Sequence, residues 1–140
     1  MAAKKEKAYS LYNMGTFAAL GEKEVDGGKG RVMLGAALGL TGCEISVNST
    51  PPGGFAPFVH SHKLNEEAYI IVSGKGVFHV DGEEFAIQEG SVIRVAPEGK
   101  RAMKAGDETL VYICIQAQKG SLTQATMEDG IINDEKASWM

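Results

Sequence analysis

The sequence predicts an all-β domain, a sandwich or barrel of many short strands, and three observations predict it. From Arg31 onward, eight short runs that are apolar or alternate apolar with polar residues follow at close, regular intervals: 31–34, 43–48, 56–62, 67–73, 76–81, 84–88, 91–96 and 109–117. Glycine makes up 18 of the 140 residues, about twice the usual share of roughly 7%. These glycines fall between the runs, where tight turns need them. Beyond residue 30 no stretch carries a helical apolar period over several turns, so helices are expected only near the N-terminus or in the tail.

In chain order, residues 1–30 read as an N-terminal extension: a weakly apolar segment from Tyr9 to Leu20, then a polar, glycine-rich stretch from Gly21 to Gly30. No Ser or Thr follows Lys29, and neither nucleotide-loop spacing is met, so this stretch is expected to be a solvated loop. Residues 31–117 form the barrel and residues 118–140 a tail, in which Ile131, Ile132 and Trp139 are expected to pack on the barrel or on a partner subunit. Two hairpins are expected, one turning through Gly74-Lys75 and one through Asp81-Gly82. The first would set Ile71 opposite Phe78, Tyr69 opposite Val80 and Glu67 opposite Gly82. The second would set Val80 opposite Glu83, Phe78 opposite Phe85, Gly76 opposite Ile87 and, on the outer surface, His79 opposite Glu84. Glu67, Tyr69, Ile71, Phe78, Val80, Phe85 and Ile87 then share one face, and the aromatic and aliphatic majority makes that face the interior. The exception is a carboxylate.

Composition narrows the function classes. Charged residues at 23% and hydrophobic residues at 44% are ordinary for a globular chain and exclude a disordered or fibrous one. A net charge of −4 with no basic block argues against a nucleic-acid partner. Met1 to Lys7 is polar and no apolar core of signal-peptide length follows, while the uncharged stretch from Val32 to Cys43 is far short of the roughly 20 residues that span a bilayer. A cytoplasmic protein with no membrane partner is expected. Cys43 and Cys114 cannot build a disulfide framework and read as buried free thiols. There is no Gly-x-Ser-x-Gly, and nothing sets either cysteine beside a histidine, so nucleophilic catalysis finds no support.

Glu67 is the starting point for chemistry, because a carboxylate on an apolar interior face is costly unless paired, protonated or bound to a cation. His60 and His62 are two residues apart, which on an extended chain puts both imidazoles on one face. With Glu67 they make two histidines and one carboxylate, the donor set of non-haem iron and of some zinc sites. The plain alternative is two surface histidines and a solvated Glu66-Glu67 turn. Parity with Tyr69 and Ile71 favours Glu67 over Glu66 as the ligand, and a one-residue shift would exchange them. Tyr69, on the same face, is the candidate catalytic acid or hydrogen-bonding group. Phe78, Arg94 and Arg101 join it as candidate pocket residues, the arginines suited to a carboxylate or phosphate.

The pattern Gly54-(x5)-His60-x-His62-(x4)-Glu67-(x6)-Gly74 resembles the first motif of the cupin superfamily. The second motif is partly matched by Gly90, Pro97 and Gly99, with Ala102 where the family has a histidine as fourth ligand. The resemblance covers residues 31–117 and is nearest to small single-domain bacterial cupins without a defined reaction. It implies a double-stranded β-helix, or jelly-roll barrel, with N- and C-terminal extensions, and a homodimer. It also implies one divalent ion (Fe, Mn, Ni, Zn or Cu) on His60, His62 and Glu67, held weakly because Ala102 cannot coordinate. His79, Met103 and Cys114 are the possible substitutes, His79 disfavoured by its outward register. The function expected is a metal-dependent enzyme acting on a small molecule as oxygenase, isomerase or lyase, and the alternative is a non-enzymatic ligand-binding or sensing barrel.

Overall fold

The computed structural model describes residues 7–25, 28–124 and 126–140. Glu24–Val25 (β1) and Gly28–Lys29 (β2) form a small antiparallel ribbon inside the stretch expected to be a solvated loop. The barrel strands are Arg31–Met33 (β3), Glu44–Thr50 (β4), Asn65–Ser73 (β5), Lys75–Val80 (β6), Glu83–Gln88 (β7), Val92–Val95 (β8), Arg101–Ala105 (β9) and Leu110–Gln118 (β10). They form two antiparallel layers, one ordered β3-β4-β10-β5-β8 and the other β7-β6-β9. This is the all-β, double-stranded barrel that the sequence predicts.

Period-2 alternation fills the space between the layers. Tyr69 and Ile71 from β5, Leu110 and Cys114 from β10 and Val95 from β8 meet Phe78, Ile87 and Ala105 from the smaller sheet in one buried cluster. A second cluster lies across β3, β4 and β10, where Val32 pairs with Val47 and Val47 with Ile113. Leu20, in a 3-10 turn at Leu20–Glu22, covers this strip and is itself 1% exposed, so the N-terminal extension is built into the fold there.

The Asp81-Gly82 hairpin has the expected register, with Phe78 opposite Phe85 and His79 opposite Glu84. Both turn residues have positive φ, 50° at Asp81 and 83° at Gly82, the conformation that matches the strand twist. The Gly74-Lys75 hairpin does not form. At Gly74, with φ of 89°, the chain leaves one sheet and enters the other; β5 pairs with β10 and β8, and β6 with β7 and β9. A Cβ at Gly74 would collide with the Thr109 carbonyl, so glycine is required at this corner. The interior parity still holds because it depends on alternation along each strand, not on the pairing between them. Phe85 is the exception: it stacks on Phe78 at 5.6 Å but is 39% exposed at the edge strand.

Three further expectations change. Residues 56–62 form no continuous strand; Phe55 and His60 make isolated bridges to Lys104 and Arg101, interrupted by Pro57, which has no N–H to donate. β9 lies in a segment where no strand was expected, its two basic residues hiding the alternation. A short helix, Leu34–Leu38 (α1), interrupts the barrel, stopped by Gly39 at φ 71°; five residues are too few to show a period. One helical turn, Thr126–Asp129 (α2), lies in the tail as expected, and Ile131, Ile132 and Trp139 stand 83%, 99% and 83% exposed, off the barrel and open to a partner subunit. Cys114 is buried and Cys43 half-buried, both as free thiols.

Candidate metal centre

His60 and His62 hang on the irregular segment beside β9. His60 is pinned by two backbone bonds with Arg101 (3.1 and 2.9 Å), and the His62 N–H donates to the Pro97 carbonyl at 2.8 Å. These anchors set the rings edge to face, 5.2 Å between centroids. Glu67 faces them from β5. Its carboxylate oxygens lie 3.9 Å from His60 Nε2 and 3.5 Å from His62 Nε2. One donor atom from each residue falls within 4.8 Å of the others. His62 Nε2 is buried with no hydrogen-bond partner. An orphaned imidazole nitrogen beside a carboxylate and a second imidazole suits a divalent metal, so the donor set fits the ion that the sequence implies. His60 is 40% exposed against 26% for His62, which makes the His60 side the open one.

Glu67 is 4% exposed and heavily supported. Tyr69 donates its hydroxyl to Oε1 at 2.7 Å, the Cys114 thiol donates to Oε2 at 3.1 Å, and Arg101 Nε stands 3.4 Å from Oε1. Burial alone would raise its pKa, but the bonds from Tyr69 and Cys114 and the charges of His62 and Arg101 outweigh it, so the carboxyl is held below its ordinary value. Burial, with the Arg101 charge behind it, pushes His60 downward against the pull of Glu67 and favours the neutral imidazole, whose lone pair can coordinate. Tyr69 and Cys114 are pushed up, first by burial and then by the adjacent carboxylate, so both keep their protons. Tyr69 thus positions Glu67, its hydroxyl already engaged.

Glu66 pairs with Ala117 on the other face, away from this cluster. Arg94, opposite Ala68 on β8, is exposed and lies outside the cavity, contrary to expectation. The expectation for Ala102 is also corrected. It pairs with His79, whose Nδ1 is 3.8 Å from Glu84 on the outer surface, whereas Arg101 pairs with Val80 and turns inward. Arg101 is 1% exposed, with Nη2 bonded to the Ala96 carbonyl at 3.1 Å and Nη1 to the His60 carbonyl at 3.5 Å. The residue that reaches Glu67 from β9 is therefore a cation.

These groups open into a cavity of about 600 Å³, lined also by Phe78, Met103 and Leu110. Arg31, Ser46, Tyr112 and Gln116 line it as well and were not singled out in the sequence. The alternation of β10 put Tyr112, Cys114 and Gln116 on one face, a signal that was present; Arg31, alone at the start of β3, offered none.

The model of the cupin domain matches residues 47–116. A solved cupin protein from Bacteroides fragilis is 40% identical and superposes with a TM-score of 0.80, covering 91% of this chain and 99% of its own. The chain belongs to the cupin family. Other similarities are more distant. A provisionally assigned sugar phosphate isomerase from Acidithiobacillus ferrooxidans is 28% identical with a TM-score of 0.58, over 63% of this chain and 58% of that one. An uncharacterised protein of Methanocaldococcus jannaschii is 30% identical over 64 residues, 45% of this cupin and 51% of the relative, so the match spans about half of that protein's length. Among the described residues of this cupin, no helix is long and apolar enough to cross a membrane.

Proposed function

We propose that this cupin binds a divalent metal ion through His60, His62 and Glu67 and acts on a small organic molecule in the adjoining cavity. The observation that carries the reading is His62 Nε2, buried without a partner 3.5 Å from a carboxylate that is held ionised. A bound ion would supply Lewis acidity or a meeting place for substrate and dioxygen. The chain supplies the rest: Tyr69 and Cys114 fix both oxygens of Glu67, the backbone bonds with Arg101 and Pro97 fix the imidazoles, and Phe78, Met103 and Leu110 give the cavity an apolar side. Oxygenase, isomerase and lyase chemistry all suit such a site, since fold does not select among reactions. A cytoplasmic homodimer completes the proposal, with exposed Trp139, Ile131 and Ile132 as its contact; light scattering after size exclusion tests it.

The second reading, a ligand-binding barrel without turnover, is favoured by one observation. Arg101 already supplies Glu67 with a counter-charge at 3.4 Å, so the carboxylate is satisfied without an ion. Elemental analysis of untagged protein purified without chelator, set beside a His60→Ala/His62→Ala variant, separates the two. Metal that disappears in the variant supports the first. Protein that stays empty when ions are added refutes it and leaves the second.

A further inference from the structure

The cavity runs against the charge of the chain. The protein carries a net −4, yet Glu67 is the only acidic residue among those lining the cavity, which holds two arginines, Arg31 and Arg101. Arg101 is engaged with Glu67 and with two backbone carbonyls. Arg31 makes no ion pair with any described residue, although its position is built. Its Nε donates to Asn48 Oδ1 at 2.9 Å, and Asn48, 4% exposed, is held in turn by Nδ2 donating to Ser46 Oγ at 3.0 Å. Arg31, Asn48 and Tyr112 are direct neighbours in register across β3, β4 and β10, a polar row of which Arg31 and Tyr112 reach the cavity.

We propose that Arg31 anchors the carboxylate of the ligand, and that the ligand is a small organic monoacid with an apolar body. Arg31 is exposed at the start of β3; Asn48 holds its Nε and Tyr112 shares a side-chain hydrogen bond with its guanidinium, whose remaining N–H groups face outward as donors that suit a carboxylate. No lysine joins it in the lining, and the first turn of α1 behind Met33 already gives its Gly35 N–H to Glu44 Oε1 at 2.8 Å, so the site carries donors for one negative charge, fewer than a phosphate dianion needs. Beside the polar groups, the lining holds Met33, Phe55, Phe58, Phe78, Met103 and Leu110, a surface for hydrocarbon. The inference rests on reading the cavity as the ligand site and does not require an ion on His60, His62 and Glu67.

The test is a titration of the full chain, metal-free and zinc-loaded, with carboxylates from acetate to phenylpropionate, each paired with its primary amide, and with inorganic phosphate. Amide resonances and calorimetry are the readouts. At least one carboxylate should bind about tenfold or more tightly than its amide, and Arg31→Gln should erase that preference while leaving amide binding and zinc content unchanged. Arg31→Lys, which keeps the charge and loses the fork, should fall between. An equal response to carboxylate and amide throughout the series, a preference that survives Arg31→Gln in a variant of wild-type melting temperature, or tighter binding of phosphate than of every carboxylate overturns the proposal. Loss of zinc in the His60→Ala/His62→Ala variant with the carboxylate preference intact leaves it standing, so the two readings fail separately.

Discussion

Arg101→Gln should tighten metal binding. The guanidinium stands 3.4 Å from Oε1 of Glu67, the carboxylate proposed as a metal ligand, and two unit charges at that separation attract by about 5 kcal/mol at an effective dielectric constant near 20. An ion that draws on Glu67 neutralises the carboxylate and forfeits part of that attraction. If roughly a third to a half is lost, the penalty is about 1.5 to 2.5 kcal/mol, or roughly a 10- to 60-fold weaker dissociation constant. Removing the positive charge should recover that factor. The assay is competition for zinc against a chromophoric chelator, on metal-free protein at fixed pH and ionic strength. Arg101→Lys, which keeps the charge, should stay near wild type. Ala102→His should also change nothing, because position 102 pairs with His79 on the opposite face. The metal-free Arg101→Gln protein should melt lower, since an uncompensated Glu67 costs several kcal/mol, about 3 to 5 where a buried pair is broken, and zinc should restore part of the loss. Unchanged or weaker zinc affinity in an Arg101→Gln protein with a native circular dichroism spectrum would refute the reasoning.

Other consequences follow from the same geometry. Tyr69→Phe removes the 2.7 Å bond to Glu67; it should cost about 1 to 2 kcal/mol in denaturant unfolding, and an infrared titration should show the Glu67 carboxyl protonating at higher pH than in wild type. Cys114, buried and with its pKa pushed up by burial and then by Glu67, should react with a disulfide reagent much more slowly than half-buried Cys43, and Glu67→Gln should not make it fast; mass spectrometry of the labelled peptides decides. Gly74→Ala places a side chain at φ 89° and against the Thr109 carbonyl, so a loss of about 2 kcal/mol or more is expected in the same unfolding assay.

Local chemistry made much of this fold legible. Asp81-Gly82 specified its turn, and alternation from Glu67 to Ile71 placed three side chains inward before any pairing was known. What remained hidden was long-range. Turn-forming residues at Gly74 cannot report whether the strands on either side share a sheet, and here they do not. Arg101 was legible as a pocket residue but not as the partner of Glu67, because burying a guanidinium makes sense only when its counter-charge is in view, and Glu67 lies on another strand of the other layer. The site shows the same division: the spacing of His60, His62 and Glu67 was visible, whereas Arg31 acquires meaning only through Asn48 across a strand pair.

The three donor residues do not belong to one layer. Glu67 is fixed in the larger sheet, while His60 and His62 are fastened by backbone bonds to Arg101 and Pro97, at and just before the edge of the smaller one. Whatever holds all three acts as a rivet between the layers, resisting their shear as well as completing a site. Occupancy should therefore be felt outside the cavity, as slower hydrogen exchange along β7 and β8, strands none of whose residues line it.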